Sequence, residues 1–172
     1  SLSCSNAKDL YFAADDGIVG VELWKSDETG TALVMDINTG TASSTPSQFT
    51  SCWTGTDWIT VFTATDAPTG RELWVTDGTA PGTKLLKDIL TGTASSSPLE
   101  LVAFSGKIFF RASSDSIGSE LWCTDGTPTG TVLVKDIRPG TFGATPTYFT
   151  PCRDTLFFAA DDGVFVVTVL LF

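Results

Sequence analysis

Carboxylates are the main chemical resource of this chain: it carries 20 Asp and Glu against 10 Lys and Arg, with four Cys and no His. Without imidazole there is no Ser-His-Asp or Cys-His pair, no histidine metal ligand and no histidine base. Catalysis would have to rest on carboxylates, Lys, Tyr or Cys. Paired carboxylates can hydrolyse glycosides when acid and nucleophile stand at set separations. Glu22, Glu72 and Glu120, however, are copies of one position, and one active site does not need three copies, so the chain is read as a non-enzyme. Asp15-Asp16-Gly17 and Asp161-Asp162-Gly163 suggest calcium, which prefers several oxygen ligands on a tight loop. The alternating Asp/Asn spacing of a full calcium loop is absent, and a solvated turn is the plainer account. No other cofactor is implied. Trp53 and Trp58 stand apart from the tryptophans that recur, and with Asp57 and Thr56 beside them they suit a stacking platform for a sugar ring. The alternative is an extra cap over the local core.

The elements that would position these residues follow from composition and pattern. The 172 residues carry a net charge of -10 and are 42% apolar, enough for one domain with a real core. The acidic balance argues against nucleic acid and against anionic membrane surfaces, since the few Lys and Arg are scattered singly. No apolar run reaches the roughly 18 residues of a membrane span. Charged residues are only 17% of the chain and the connections are rich in Ser, Thr and Gly, as expected of an extracellular or cell-surface domain. Four cysteines without a CxxC suit two disulfides better than zinc. The first residue is Ser1 and no signal peptide is seen, which suggests a processed or excised chain.

The chain repeats itself. Glu22-Leu23-Trp24-Lys25-Ser26-Asp27 aligns with Glu72-Leu73-Trp74-Val75-Thr76-Asp77 and with Glu120-Leu121-Trp122-Cys123-Thr124-Asp125. Upstream, Tyr11-Phe12-Ala13-Ala14 returns as Val61-Phe62-Thr63-Ala64, Phe109-Phe110-Arg111-Ala112 and Phe157-Phe158-Ala159-Ala160. Downstream, Leu33-Val34-Met35-Asp36-Ile37 returns as Leu85-Leu86-Lys87-Asp88-Ile89 and Leu133-Val134-Lys135-Asp136-Ile137. A weaker block, Gln48-Phe49-Thr50-Ser51-Cys52 and Tyr148-Phe149-Thr150-Pro151-Cys152, precedes the Phe element. Four short apolar runs per unit, separated by turn residues and without helical periodicity, predict four strands. Neighbouring apolar residues such as Phe109-Phe110 point to opposite faces, so both faces need cover, and stacked sheets provide it. The expected fold is all-β, a β-propeller-like array of four-stranded antiparallel blades in one domain over 1–172. Three repeats are complete and the fourth partial, with units at about 1–40, 41–92, 93–140 and 141–172. Asp77-Gly78 and Asp125-Gly126 predict tight hairpins. The recurrent Trp24, Trp74 and Trp122 are expected to pack between blades.

The run Glu-Leu-Trp-x-Thr-Asp-Gly-Thr, followed by Gly-Thr, Leu-Val-Lys-Asp-Ile and Pro139-Gly140, resembles the ELWxxDGT repeat family of secreted and surface-anchored proteins, over residues from about 10 to 163. The resemblance implies an extracellular propeller-like module and carries no shared catalytic residue. Two departures stand out. Ser26-Asp27-Glu28-Thr29 lacks the glycine, which predicts a longer or looser first hairpin. The fourth unit stops matching after Gly163, where Val164, Phe165, Val166, Val167, Thr168, Val169, Leu170, Leu171 and Phe172 follow. This run is either the third strand of a final blade without its outer partner or an exposed edge that pairs with another chain. In a closed four-bladed ring, units one and four are neighbours, so Cys4–Cys152 would staple the seam and leave Cys52–Cys123. The Ser/Thr-rich stretches 38–46 and 91–98 suit O-glycosylation, making a glycoprotein, or plain polar linkers. The expected role is a structural or adhesive module that assembles with copies of itself or with surface proteins into a filament; the alternative is a glycan-binding module.

Overall fold

The structure, a computed structural model, describes residues 3–5, 9–164 and 166–171; within them it is all-β, with no helix. Four antiparallel sheets follow one another along the chain, each a meander in chain order. The first contains β1 (Ser3–Ser5), β2 (Asp9–Asp15), β3 (Val21–Asp27) and β4 (Gly30–Met35). The second contains β5 (Ser47–Trp53), β6 (Trp58–Asp66), β7 (Gly70–Thr76) and β8 (Lys84–Lys87), and the third β9 (Leu99–Phe104), β10 (Lys107–Ser114), β11 (Gly118–Thr124) and β12 (Val132–Lys135). The fourth has three strands, β13 (Thr147–Cys152), β14 (Thr155–Asp161) and β15 (Val166–Leu171).

Burial explains why the chain repeats. In the second sheet, Thr60 to Ala64 of β6 are all buried, because both faces are covered. In the fourth, β14 alternates: Leu156, Phe158 and Ala160 are buried while Phe157 and Ala159 are half-buried. Three cores result. Tyr11, Leu23 and Val34 meet Phe62, Ala64 and Trp74; Val61, Leu73 and Leu86 meet Ile108, Phe110 and Trp122; Phe109 and Leu121 meet Leu156, Phe158 and Ala160. Each large side chain so buried stabilises the fold by roughly 1.5–3 kcal/mol. Trp74 and Trp122 thus pack between sheets, whereas Trp24 is half-buried on the outer side of the first sheet. The main packing between sheets runs first to second, second to third and third to fourth.

Register is shared between the sheets. Phe12, Phe62 and Phe110 face Trp24, Trp74 and Trp122, and Ala14, Ala64 and Ala112 face Glu22, Glu72 and Glu120. In the fourth sheet Val169 and Val167 occupy these two positions, opposite Phe158 and Ala160. The connections repeat as well: Thr45, Ser97 and Thr145 lie at φ 47°, 49° and 48°, and Gln48, Glu100 and Tyr148 at φ 58°, 60° and 59°. Gln48, Glu100 and Tyr148 each fall where the pairing of β5, β9 or β13 shifts register, at a bulge.

The hairpins reverse the expectation. The first is the short one, with Glu28 and Thr29 alone between β3 and β4 and Asp27 paired to Gly30. Asp77-Gly78 and Asp125-Gly126 instead open wider loops, 77–83 and 125–131. Their aspartates accept hydrogen bonds from Thr79 and Thr127, and the hydroxyls of Thr83 and Thr131 donate back to the carbonyls of Thr79 and Thr127. These loops reach over the preceding sheet. A Cβ on Gly78 would stand 2.5 Å from the Tyr11 hydroxyl, and one on Gly126 would stand 2.6 Å from Ile59. Glu28 stands in place of the glycine, in a turn that reaches over no other sheet among the described residues.

Candidate functional site

Glu22, Glu72 and Glu120 form the most conspicuous polar constellation, and it is structural. Each is buried. Glu22 accepts from the backbone N–H of Ile37 and of Ser44, both at 2.8 Å, and from the Ser44 hydroxyl at 2.6 Å. Glu72 takes the same three donors from Ile89 and Ser96. Glu120 takes the N–H groups of Ile137, Arg138 and Ala144 at 2.9, 3.2 and 2.8 Å. The glutamate of one sheet is therefore closed by the connection that leads to the next. Burial raises the Glu72 and Glu120 carboxyls above the ordinary range, and the donors pull partly back. One further pattern repeats: the indole N–H of Trp24, Trp74 and Trp122 and Oδ1 of Asp36, Asp88 and Asp136 are buried without a protein partner. Threefold recurrence ties it to the unit.

Trp53 and Trp58 are the last residue of β5 and the first of β6, paired in register across the hairpin tip. Their ring centroids are 5.9 Å apart and tilted by 51°. They are 48% and 47% exposed, so they do not seal a core. Inside the tip, the Thr54 N–H donates to the Asp57 carbonyl at 3.0 Å, which holds the loop shut. Asp57 lines an open cleft of about 340 Å³ with Thr54, Thr56 and Ile59 on one side and Asp125, Gly126 and Thr127 on the other. Neither tryptophan lines it, so the platform expected of Trp53, Trp58 and Asp57 is divided between an aromatic pair and a separate polar cleft.

The turn aspartates are engaged locally. Asp15 accepts from the Gly17 N–H, Asp16 from Ile18 and Val19, Asp161 from Gly163 and Asp162 from Val164. Asp161 also accepts from Arg138. The four expected calcium ligands sit in pairs on the first and fourth sheets, and no cluster of three ligating side chains occurs among the described residues.

The disulfide framework needs correction. Cys52, Cys123 and Cys152 are free thiols, the first two buried. Cys52 lies in the core between the second and third sheets and Cys123 in the core between the third and fourth, on opposite faces of the third sheet, so Cys52–Cys123 does not form. Burial raises both thiols. Cys152 is exposed, and the side chain of its expected partner Cys4 lies outside what the structure describes. In the C-terminal run, Val164 is exposed, Val166 to Leu171 form β15 on β14, and Phe165 and Phe172 lie outside the described residues.

One cluster escaped the sequence reading. Arg138, Phe142 and Tyr148 gather where the third sheet leads into the fourth. Arg138 lies 5.4 Å over the Phe142 ring and donates to Asp161 Oδ2 at 2.6 Å. The signal was available, since these residues do not recur: the first connection has Asn38, Ala42 and Gln48 in their places, and the second Leu90, Ala94 and Glu100. No family model, curated protein or solved structure matches the chain.

Proposed function

We propose that the chain is a non-enzymatic structural or adhesive repeat module of the ELWxxDGT kind, with its sheets arranged as propeller-like blades, that assembles with further copies through β15. The open side of β15 carries this reading. β3, β7 and β11 each have a fourth strand on that side, and among the described residues β15 has none. A run from Val166 to Leu171 without charge or proline is poorly protected against pairing with another strand. The half-buried outer sides of the first and fourth sheets, with Phe12 and Trp24 on one and Phe157 on the other, add apolar area for end-to-end contact. Multivalent contact between copies is then the mechanism, and the Ser-, Thr- and Gly-rich connections suit an extracellular or surface setting. With free thiols in two of the three cores, that setting rests on surface composition and on the repeat, not on disulfides.

Sedimentation velocity over a concentration series tests the proposal. The full chain is expected to form species larger than a monomer, and removal of 164–172 to abolish them. Thr168→Lys, which keeps the chain at full length and puts a charge into the edge strand, is expected to do the same. Unchanged assembly in both variants would sink the strand-pairing idea.

The exposed Trp53–Trp58 pair favours a second reading, a glycan-binding module. Under it, Trp53→Ala and Trp58→Ala abolish glycan binding without affecting the melting temperature. Unaltered binding removes that site.

A further inference from the structure

We infer that the cleft at the join of the third and fourth sheets, rimmed by Phe142 and Tyr148 over the Arg138–Asp161 pair, is a binding site for a neutral sugar ring. The cavity measures about 410 Å³, within the roughly 300–1,000 Å³ of small-molecule sites. Thr145, Thr147 and Ala159 are among the other residues that line it. Phe142 is 82% exposed and Tyr148 78% exposed, well above Trp53 and Trp58. Such exposure contributes nothing to the three cores, and large exposed aromatics beside a concavity mark contact surfaces.

The cleft is preorganised. Tyr148 sits at φ 59° in the bulge that Gln48 and Glu100 share, where Gln48 is half-buried and Glu100 and Tyr148 are exposed. Only in this connection is the bulge residue aromatic. Arg138 is held at both ends: its backbone N–H is tied to Glu120, and its guanidinium lies 5.4 Å from the Phe142 ring centroid with one nitrogen bound to Asp161. A planar fork fixed in this way offers its remaining N–H donors in a set direction.

Chemistry selects the ligand. Flat apolar rings suit the C–H face of a pyranose, and the guanidinium and the threonine hydroxyls suit its equatorial hydroxyls. Arg138 and Asp161 cancel in charge, so an anionic ligand gains no net attraction there, and a neutral polyol that uses the remaining N–H donors is favoured. This site is independent of the Trp53–Trp58 reading and of assembly through β15.

Saturation-transfer difference NMR on the full chain tests the inference, with methyl α-glucoside, methyl β-galactoside and N-acetylglucosamine as separate millimolar probes. At least one probe is expected to give ring-proton signals. Tyr148→Ala and Phe142→Ala are each expected to weaken its apparent affinity by about tenfold, the loss of one stacking contact. Both side chains are exposed, so unchanged melting curves are expected of both variants. The Trp53→Ala/Trp58→Ala double variant is expected to retain the signal. Silence from all three probes overturns the inference, as does a signal indifferent to Tyr148→Ala and Phe142→Ala. Loss only in the tryptophan double variant assigns binding to the hairpin tip and likewise overturns it.

Discussion

Two sets of carboxylates give this protein opposite responses to acid. The Asp27 carboxyl is drawn down to about 2, first by the hydroxyl and N–H of Thr29 and then by Lys25, and Asp77 and Asp125 are lowered by Thr79 and Thr127. Their stabilisation is complete above the ordinary value of 3.8 and is lost as pH falls toward their depressed values. Glu72 and Glu120 run the other way, because their carboxyls are raised by burial. Above 4.5 the unfolded chain releases a proton that the folded glutamate still holds, so stability declines with rising pH until the raised value is passed. Glu72→Gln is expected to remove its share of that decline. Thermal melts between pH 4 and 7 should show a wild-type minus variant difference that shrinks as pH rises, and a pH-independent difference would contradict the burial effect. Glu72→Ala leaves the N–H groups of Ile89 and Ser96 without their acceptor, at a cost of about 1–3 kcal/mol for each that stays dry.

At the scale of elements, close approach between a strand and the following connection is enforced by glycine. A Cβ on Gly118, at φ 66°, would stand 2.5 Å from the Gly143 backbone nitrogen, whereas one on Gly92, at φ 91°, meets nothing within 4 Å. Both alanine substitutions suffer the backbone strain, of about 1–2 kcal/mol, and only Gly118→Ala suffers the collision. Urea unfolding should therefore separate them by at least about 1 kcal/mol; equal losses would show that the connection yields. The strands themselves were legible, because alternating faces and repeated Phe and Trp positions are local properties of the chain. The hairpins were not: Asp-Gly favours a tight turn by itself, yet loops 77–83 and 125–131 widen to lie over Tyr11 and Ile59, which sequence does not place beside them. The cysteines misled for a related reason. Even number and spacing say nothing of which face of a sheet a thiol occupies, and Cys52 and Cys123 occupy opposite ones. Of the candidate site, Trp53 and Trp58 were visible as departures from the repeat. Arg138, Phe142 and Tyr148 were overlooked because they depart in connections, where variation is ordinary, and only the fold shows that they converge.

Across the whole molecule, each sheet packs on its neighbours in sequence, so stability is close to a sum of nearest-neighbour terms. Phe110→Ala empties the core between the second and third sheets and should cost about 3–5 kcal/mol. Amide exchange is expected to quicken most in β6, β7, β10 and β11 and least in β2 and β3; a uniform increase would instead mean that all four sheets unfold together. The buried glutamates give this stack a direction in time. As the chain leaves the ribosome, Glu22 can shed water only after residues 37–44 have emerged, and these already belong to the approach to the second sheet. The same holds for Glu72 with residues 89–96 and for Glu120 with residues 137–144. Each sheet's carboxylate is thus satisfied only by the connection to its successor, so completing one sheet draws on the beginning of the next. Val167 stands at the corresponding register position of the fourth sheet, and an apolar residue there calls for no such donors.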